Sequence, residues 1–216
     1  MKTTVPLLAF TCLATASVAL TGCLALKPVS DPTRFFVLSA TPPSTSTAPA
    51  PPLNAVLGLA PVHLPAHLLP KSLCIRKSEH EVVYADFLQW AEPLEQAIPN
   101  VIGQDLTQRL GVTRMRFRVW SRNAVDYEAQ IRFFHFEADE QGRVILEAHW
   151  TITKPGGIET LAASKSRVVK EGPPPFDDPD GSVAALSDAL SDLSAALAES
   201  LQQAHAGSHP APGIMP

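Results

Sequence analysis

Tyr127-Glu128-Ala129-Gln130-Ile131-Arg132-Phe133-Phe134-His135-Phe136-Glu137-Ala138, then Asp139-Glu140-Gln141-Gly142, then Arg143-Val144-Ile145-Leu146-Glu147-Ala148-His149-Trp150-Thr151-Ile152-Thr153: this stretch decides the fold. Both arms are rich in β-branched and aromatic residues. The polar residues between them end in glycine, so the stretch predicts a long hairpin. Downstream, Gly156-Gly157 leads into a further strand, residues 159–169. A proline-rich loop, residues 171–179, then opens a helix with Ser182 as its expected N-cap. Val183, Leu186, Leu190, Leu193, Leu197 and Leu201 form one apolar stripe, and Gly207 marks its expected end.

Upstream, Arg114-Met115-Arg116-Phe117-Arg118-Val119 alternates with a period of two, the pattern of a strand. Before it, Leu94, Ile98, Val101, Ile102, Leu106 and Leu110 recur at helical spacing. Pro93 suits the start of that helix and Gly111 its C-terminal cap. Pro99 lies inside the pattern and is expected to kink the helix or end its first turn. Four shorter runs read as strands: residues 34–38, 55–62, 73–76 and 82–84. The order is strands, helix, strands, helix. It predicts an α+β domain: a largely antiparallel six- or seven-stranded sheet with two main helices packed on one face.

The N-terminus has a different character. Lys2 precedes an almost uncharged apolar run, residues 5–20, which closes on Leu20-Thr21-Gly22-Cys23. A positive end, an apolar middle and small residues at the cut make a secretory signal. A cysteine directly after the small residues makes it resemble a bacterial lipoprotein signal. That resemblance implies cleavage before Cys23 and lipid attachment to it. An uncleaved anchor would want about 20 apolar residues, and this run holds Pro6 and several threonines. The expected organisation is a signal over residues 1–22, a lipidated tether over 23–33 and one domain over 34–206. The tail, 207–216, is expected to be disordered. Residues 41–52, rich in Pro, Ser and Thr, are expected to form a flexible excursion between two strands. Leu24 stands where an aspartate would, by resemblance to proteobacterial lipoproteins, retain the chain at the inner membrane. The outer membrane, facing the periplasm, is therefore the expected site, with the periplasmic face of the inner membrane as the alternative.

A net charge of −4 argues against nucleic acid as a partner. Cys12 leaves with the signal and Cys23 takes the lipid. Cys74 then has no internal disulfide partner and reads as a small buried hydrophobe. There is no Gly-x-Ser-x-Gly, no His-Glu-x-x-His and no phosphate-cradling glycine loop. No catalytic residue, cofactor or metal is expected. His63 and His67 are four apart, but Pro65 between them argues against a helix, so they read as loop histidines. His135 and His149 sit on the hairpin and are candidates to face each other across it. Trp90 reads as a core anchor for the first helix, with an interface role as the alternative. The period of two places Arg114, Arg116 and Arg118 on one strand face. That face is either simply solvated or a contact for an anionic partner.

These features together resemble the ABC-type transport auxiliary lipoproteins (PqiC-like). The resemblance rests on Cys23 and its preceding residues, on Arg34-Phe35-Phe36-Val37-Leu38, and on Ala60-Pro61-Val62-His63-Leu64-Pro65-Ala66-His67-Leu68. It continues through Gln89-Trp90-Ala91-Glu92-Pro93-Leu94 and Asp126-Tyr127. Two departures stand out: the long proline-rich loop after the first strand, and Phe35 where tyrosine is common. The resemblance implies a non-catalytic subunit of an MCE/ABC-type lipid transport system, docking the transport tunnel at the outer membrane. The implied partner is an MCE-domain transport protein (PqiB-like), with the membrane held through the lipid anchor. A homo-oligomer is left open. The second function class is a periplasmic lipid-binding carrier, which would need an apolar cavity of its own.

Overall fold

All eight segments read as strands pair into one sheet in the computed structural model, which describes residues 30–41, 52–112 and 114–208. The elements run β1 (Arg34–Phe36), β2 (Val56–Leu59), β3 (Ser72–Arg76), β4 (Val82–Trp90), α1 (Leu94–Leu110) and β5 (Arg114–Phe117). They continue with β6 (Tyr127–Asp139), β7 (Arg143–Thr153), β8 (Thr160–Glu171) and α2 (Pro179–Ser208). The class is α+β and most of the ladder is antiparallel, as expected; the sheet is larger than six or seven strands. The reason is the length of β6, 13 residues. One of its edges takes the whole of β7. The other edge is shared: β2 runs parallel along Tyr127–Ala129, and β3 along Ala138–Asp139. The branches then continue as β2–β5 and as β3–β4–β1, while β8 pairs β7.

The hairpin forms as its turn predicts. The Asp139 carboxylate accepts hydrogen bonds from the Gln141 N–H at 3.0 Å and the Arg143 N–H at 2.8 Å. Gly142 adopts φ 93°, and a Cβ there would collide with the backbone of Gly172 and Pro173. β4 extends beyond the residues read as strand, through Phe87-Leu88-Gln89-Trp90, because β1 pairs in parallel with that end.

Helix α1 keeps its expected ends, whereas helix α2 departs from its own at particular residues. Helix α1 passes through Pro99 without ending and closes on Gly111 at φ 60°. Helix α2 begins a turn before Ser182. Pro179 takes the first turn, where a missing N–H is harmless. The Asp178 carboxylate accepts from the Gly181 N–H at 3.0 Å, so Asp178 is the cap. The helix also runs past Gly207 to Ser208. Val183, Leu186, Leu190, Leu193, Leu197 and Leu201 are all buried, as are Val144, Leu146, Ala148, Trp150 and Ile152 on alternate positions of β7. Each of the Val, Leu and Ile side chains among them contributes about 1.5–3 kcal/mol by leaving water. Trp90 and Cys74 belong to the same core, and burial pushes the Cys74 thiol up to about 11, with the neighbouring Glu137 carboxylate adding to the rise. Among the described residues, no helix is long and apolar enough to cross a membrane.

Candidate functional site

Alternation along the strands gives the sheet two unlike faces. The helices cover one. On the other, polar and charged side chains of β5, β6, β7 and β8 lie open to solvent. Register decides which of them meet.

At the β5 end, Met115 and Phe117 point to the helix side. Gly103 of α1 admits the Phe117 ring, which would lie 2.7 Å from a Cβ at that position. A groove of about 460 Å³ opens here, lined by Gly103, Thr107, Met115 and Phe117 among others. Arg114 and Arg116 point the other way, both exposed. Arg118 departs from the predicted stripe. The strand ends at Phe117, and Arg118 takes a left-handed backbone, φ 71°, while its N–H donates to the Leu59 carbonyl at 3.1 Å. The turn swings Trp120 back across β2. Its ring sits where a side chain at Gly58 would be, 2.6 Å from that Cβ position. Its indole N–H donates to the Glu128 carboxylate at 3.0 Å, and the Gly156 N–H donates to the same oxygen at 2.9 Å. The candidate arginine face is thus two arginines on a strand, with the third on the turn beyond it. Cys23, the signal before it, most of the 41–52 excursion and residues 209–216 lie outside the described residues.

The histidines are placed by a bulge in β6. The β6–β7 register shifts between Phe133 and His135, so His149 pairs with Arg132 and His135 with Glu147. His135 and His149 therefore do not oppose each other. The His149 ring lies instead 4.5 Å from the Phe134 ring. His135 turns to Glu137, its Nδ1 2.8 Å from Oε1. The Glu137 side chain is 1% exposed, and Arg76 Nε donates to it at 2.6 Å. The Phe136 N–H donates to its other oxygen at 2.7 Å, and His67 Nε2 lies 4.0 Å away. His67 is thus half-buried beside a carboxylate rather than free on a loop. This cluster ties β3, β6 and the turn at Ala66–Leu68 together. Among the described residues no group of three or more His, Cys, Asp or Glu could hold a metal ion. Sequence reading missed Glu137 and Trp120; an acidic residue inside an apolar strand, and an aromatic just past the arginines, were the signals available.

The family model for the ABC-type transport auxiliary lipoprotein component matches residues 36–198, from β1 to well inside α2. Among solved structures, the fold is similar to protein XCC0632 from Xanthomonas campestris, of the DUF330 family. The identity is 16%, with 79% of this chain and 98% of that chain covered and a TM-score of 0.65. It is also similar to an uncharacterised protein at 18% identity, covering 78% of this chain and 98% of that chain, with a TM-score of 0.62. At such identities the likeness speaks for the fold alone. No curated protein matches this chain.

Proposed function

The chain belongs to the ABC-type transport auxiliary lipoprotein family, and from that premise we propose that it is a non-catalytic docking subunit of an MCE/ABC-type lipid transport system. Cys23 carries the lipid and holds the domain at the outer membrane, facing the periplasm. Several acyl chains are needed for a stable hold, since each buried CH₂ contributes about 0.8 kcal/mol. The partner is an MCE-domain transport protein of the PqiB-like kind, whose tunnel end the domain receives.

The family match across the folded domain carries this reading. The geometry agrees with docking better than with a lipid carrier. A carrier needs an apolar cavity, whereas here the leucines of α2 and the inward residues of β7 fill one continuous core. The grooves beside α1 and on the open face lie at the surface, with polar groups in their linings.

Arg114, Arg116 and Arg118 are the proposed contact to an acidic patch on the partner. All three are exposed, and among the described residues none forms an ion pair. The test is capture of the purified MCE-domain protein from the same cell by the wild-type protein and by a variant with all three arginines changed to Glu. Reversal is expected to weaken capture at least tenfold. Wild-type capture is expected to weaken as salt shortens the screening length from about 10 Å at 0.1 M to about 3 Å at 1 M. Equal capture by the folded variant removes the arginines from the interface; no capture by wild type sinks the docking role.

A further inference from the structure

A second basic feature crosses the open face, and only the strand register reveals it. His63 bridges in parallel to Arg132. Arg132 pairs with His149, and His149 with Lys165. Cross-strand partners share a face, so His63, Arg132, His149 and Lys165 form a single row over four adjacent backbone segments. With strands about 4.8 Å apart, Arg132 and Lys165 are separated by about 10 Å at their backbones. Their long side chains can converge over His149. The four residues line one groove of about 690 Å³, together with Gln130 and Thr151 from the neighbouring row.

Like charges placed in one row repel, so such rows need compensation. The next row shows how the sheet compensates elsewhere: Glu147 lies opposite Arg167, with a 3.8 Å ion pair. The basic row has no such compensation. Among the described residues, neither Arg132 nor Lys165 has an ion-pair partner, and neither side chain makes a hydrogen bond. Two full cations, two imidazoles, a hydroxyl and an amide thus converge on one open groove in a protein of net negative charge.

We propose that this row binds the phosphate of a phospholipid headgroup. A guanidinium fork matches phosphate oxygens in geometry as well as charge. Imidazole N–H, Thr151 hydroxyl and Gln130 amide groups supply the further donors that a compact, oxygen-rich anion needs. The shape favours a compact anion over an acidic peptide. An extended peptide following the strands would leave the row within one residue pair and meet Glu147. The groove is open to solvent and is not an enclosed apolar cavity of the kind that holds acyl chains, so only the headgroup is read. Membrane attachment, which belongs to the lipoprotein reading above, is what makes a phospholipid the source of the phosphate; the site does not depend on partner docking.

The test uses the full mature protein in a neutral sugar-based detergent, titrated by calorimetry with dihexanoyl phosphatidylglycerol. Binding is expected in the wild type. It is expected to weaken at least about tenfold in R132Q/K165Q, since a hydrogen bond to a charged group is worth about 1.5–3 kcal/mol and 1.4 kcal/mol is a factor of ten. R167Q, altered in the compensated row, is expected to bind as wild type. All three residues are exposed, so the variants should fold. The proposal falls if the wild type does not bind, or if R132Q/K165Q binds equally well. It also falls if inorganic phosphate or a glutamate decapeptide competes as strongly as the lipid, because the headgroup is then not what is recognised. None of these outcomes changes the partner-capture result, so the two readings fail separately.

Discussion

Strand β7 belongs to two regions that obey different rules. Inward it presents Val144, Leu146, Ala148, Trp150 and Ile152, all buried under α2. Outward it presents Ile145, Glu147, His149 and Thr151, which lie among charges from β6 and β8. The inward face asks of each residue only that it be apolar and of a size that packs. Its energy is spread over many side chains, and no single partner matters greatly. The outward face asks which residue stands opposite which. Shifting β6 by one residue would put His149 opposite something other than Arg132 and dissolve the basic row. Area governs one face and register the other.

The largest blow to this contrast is a charge placed on the helix side. Leu193 is fully buried within the apolar stripe of α2. Leu193→Asp would place an unpaired carboxylate in the core, and a loss of at least 4 kcal/mol is expected, beyond the usual range for a single substitution. Thermal melting followed by circular dichroism checks it. An unchanged cooperative transition would mean that the stripe is not what holds α2 to the sheet.

A smaller loss is expected on the open face, where a single group matters only because of its partners. Glu137 is buried beneath Arg76 and His135. Glu137→Ala leaves the Arg76 guanidinium without its carboxylate, and removing one member of a buried pair costs about 3 kcal/mol. Denaturant unfolding measures it, and the same experiment on a variant that also carries Arg76→Met sharpens it. With the orphaned charge gone, part of the loss should return. If the double variant is as unstable as the sum of the single changes, the pair is not coupled and the open face behaves like the other one.

The same division explains what the sequence disclosed. Period-two alternation on β7 and the leucine spacing on α2 reach into the core directly, because burial is a property of one residue at a time. The α+β class, the hairpin turn, Gly111 as a cap and the burial of Trp90 and Cys74 were all legible on that basis. Pairing was not. The bulge at Phe134 separates His135 from His149, and nothing in the sequence around it marks the extra residue. Alternation also continued through Arg118 in the sequence, yet the strand stops at Phe117 because the chain turns to lay Trp120 over Gly58. Ser182 looked like a cap, but Asp178 stands before Pro179 and does the work a turn earlier. The sharing of one β6 edge by β2 and β3 depends on contacts between segments far apart in the chain, which local pattern does not encode.

The smallest expected effect has the opposite sign and tests a flaw in the helix-side core. Asp105 of α1 is buried where α1 meets α2, near Ser194 and Arg109. Burial pushes its carboxyl above the usual carboxylate range, against the lowering influence of the Ser194 hydroxyl, of Arg109 and of the Thr41 backbone. The folded chain therefore holds this proton more tightly than the unfolded chain does. As pH rises through the ordinary carboxylate value, the unfolded state ionises first and gains, so stability falls. The fall levels off once the folded carboxyl has ionised as well. Asparagine has nearly the same shape and does not titrate. Asp105→Asn is expected to melt close to wild type at about pH 3, where both side chains are neutral, and above it at about pH 8. The gap should open as pH rises between those values. A variant that melts below wild type at the higher pH would mean that the attraction between Asp105 and Arg109 outweighs the cost of burial. That interface would then follow the rule of the open face, in which specific partners decide, rather than the rule of the apolar core around it.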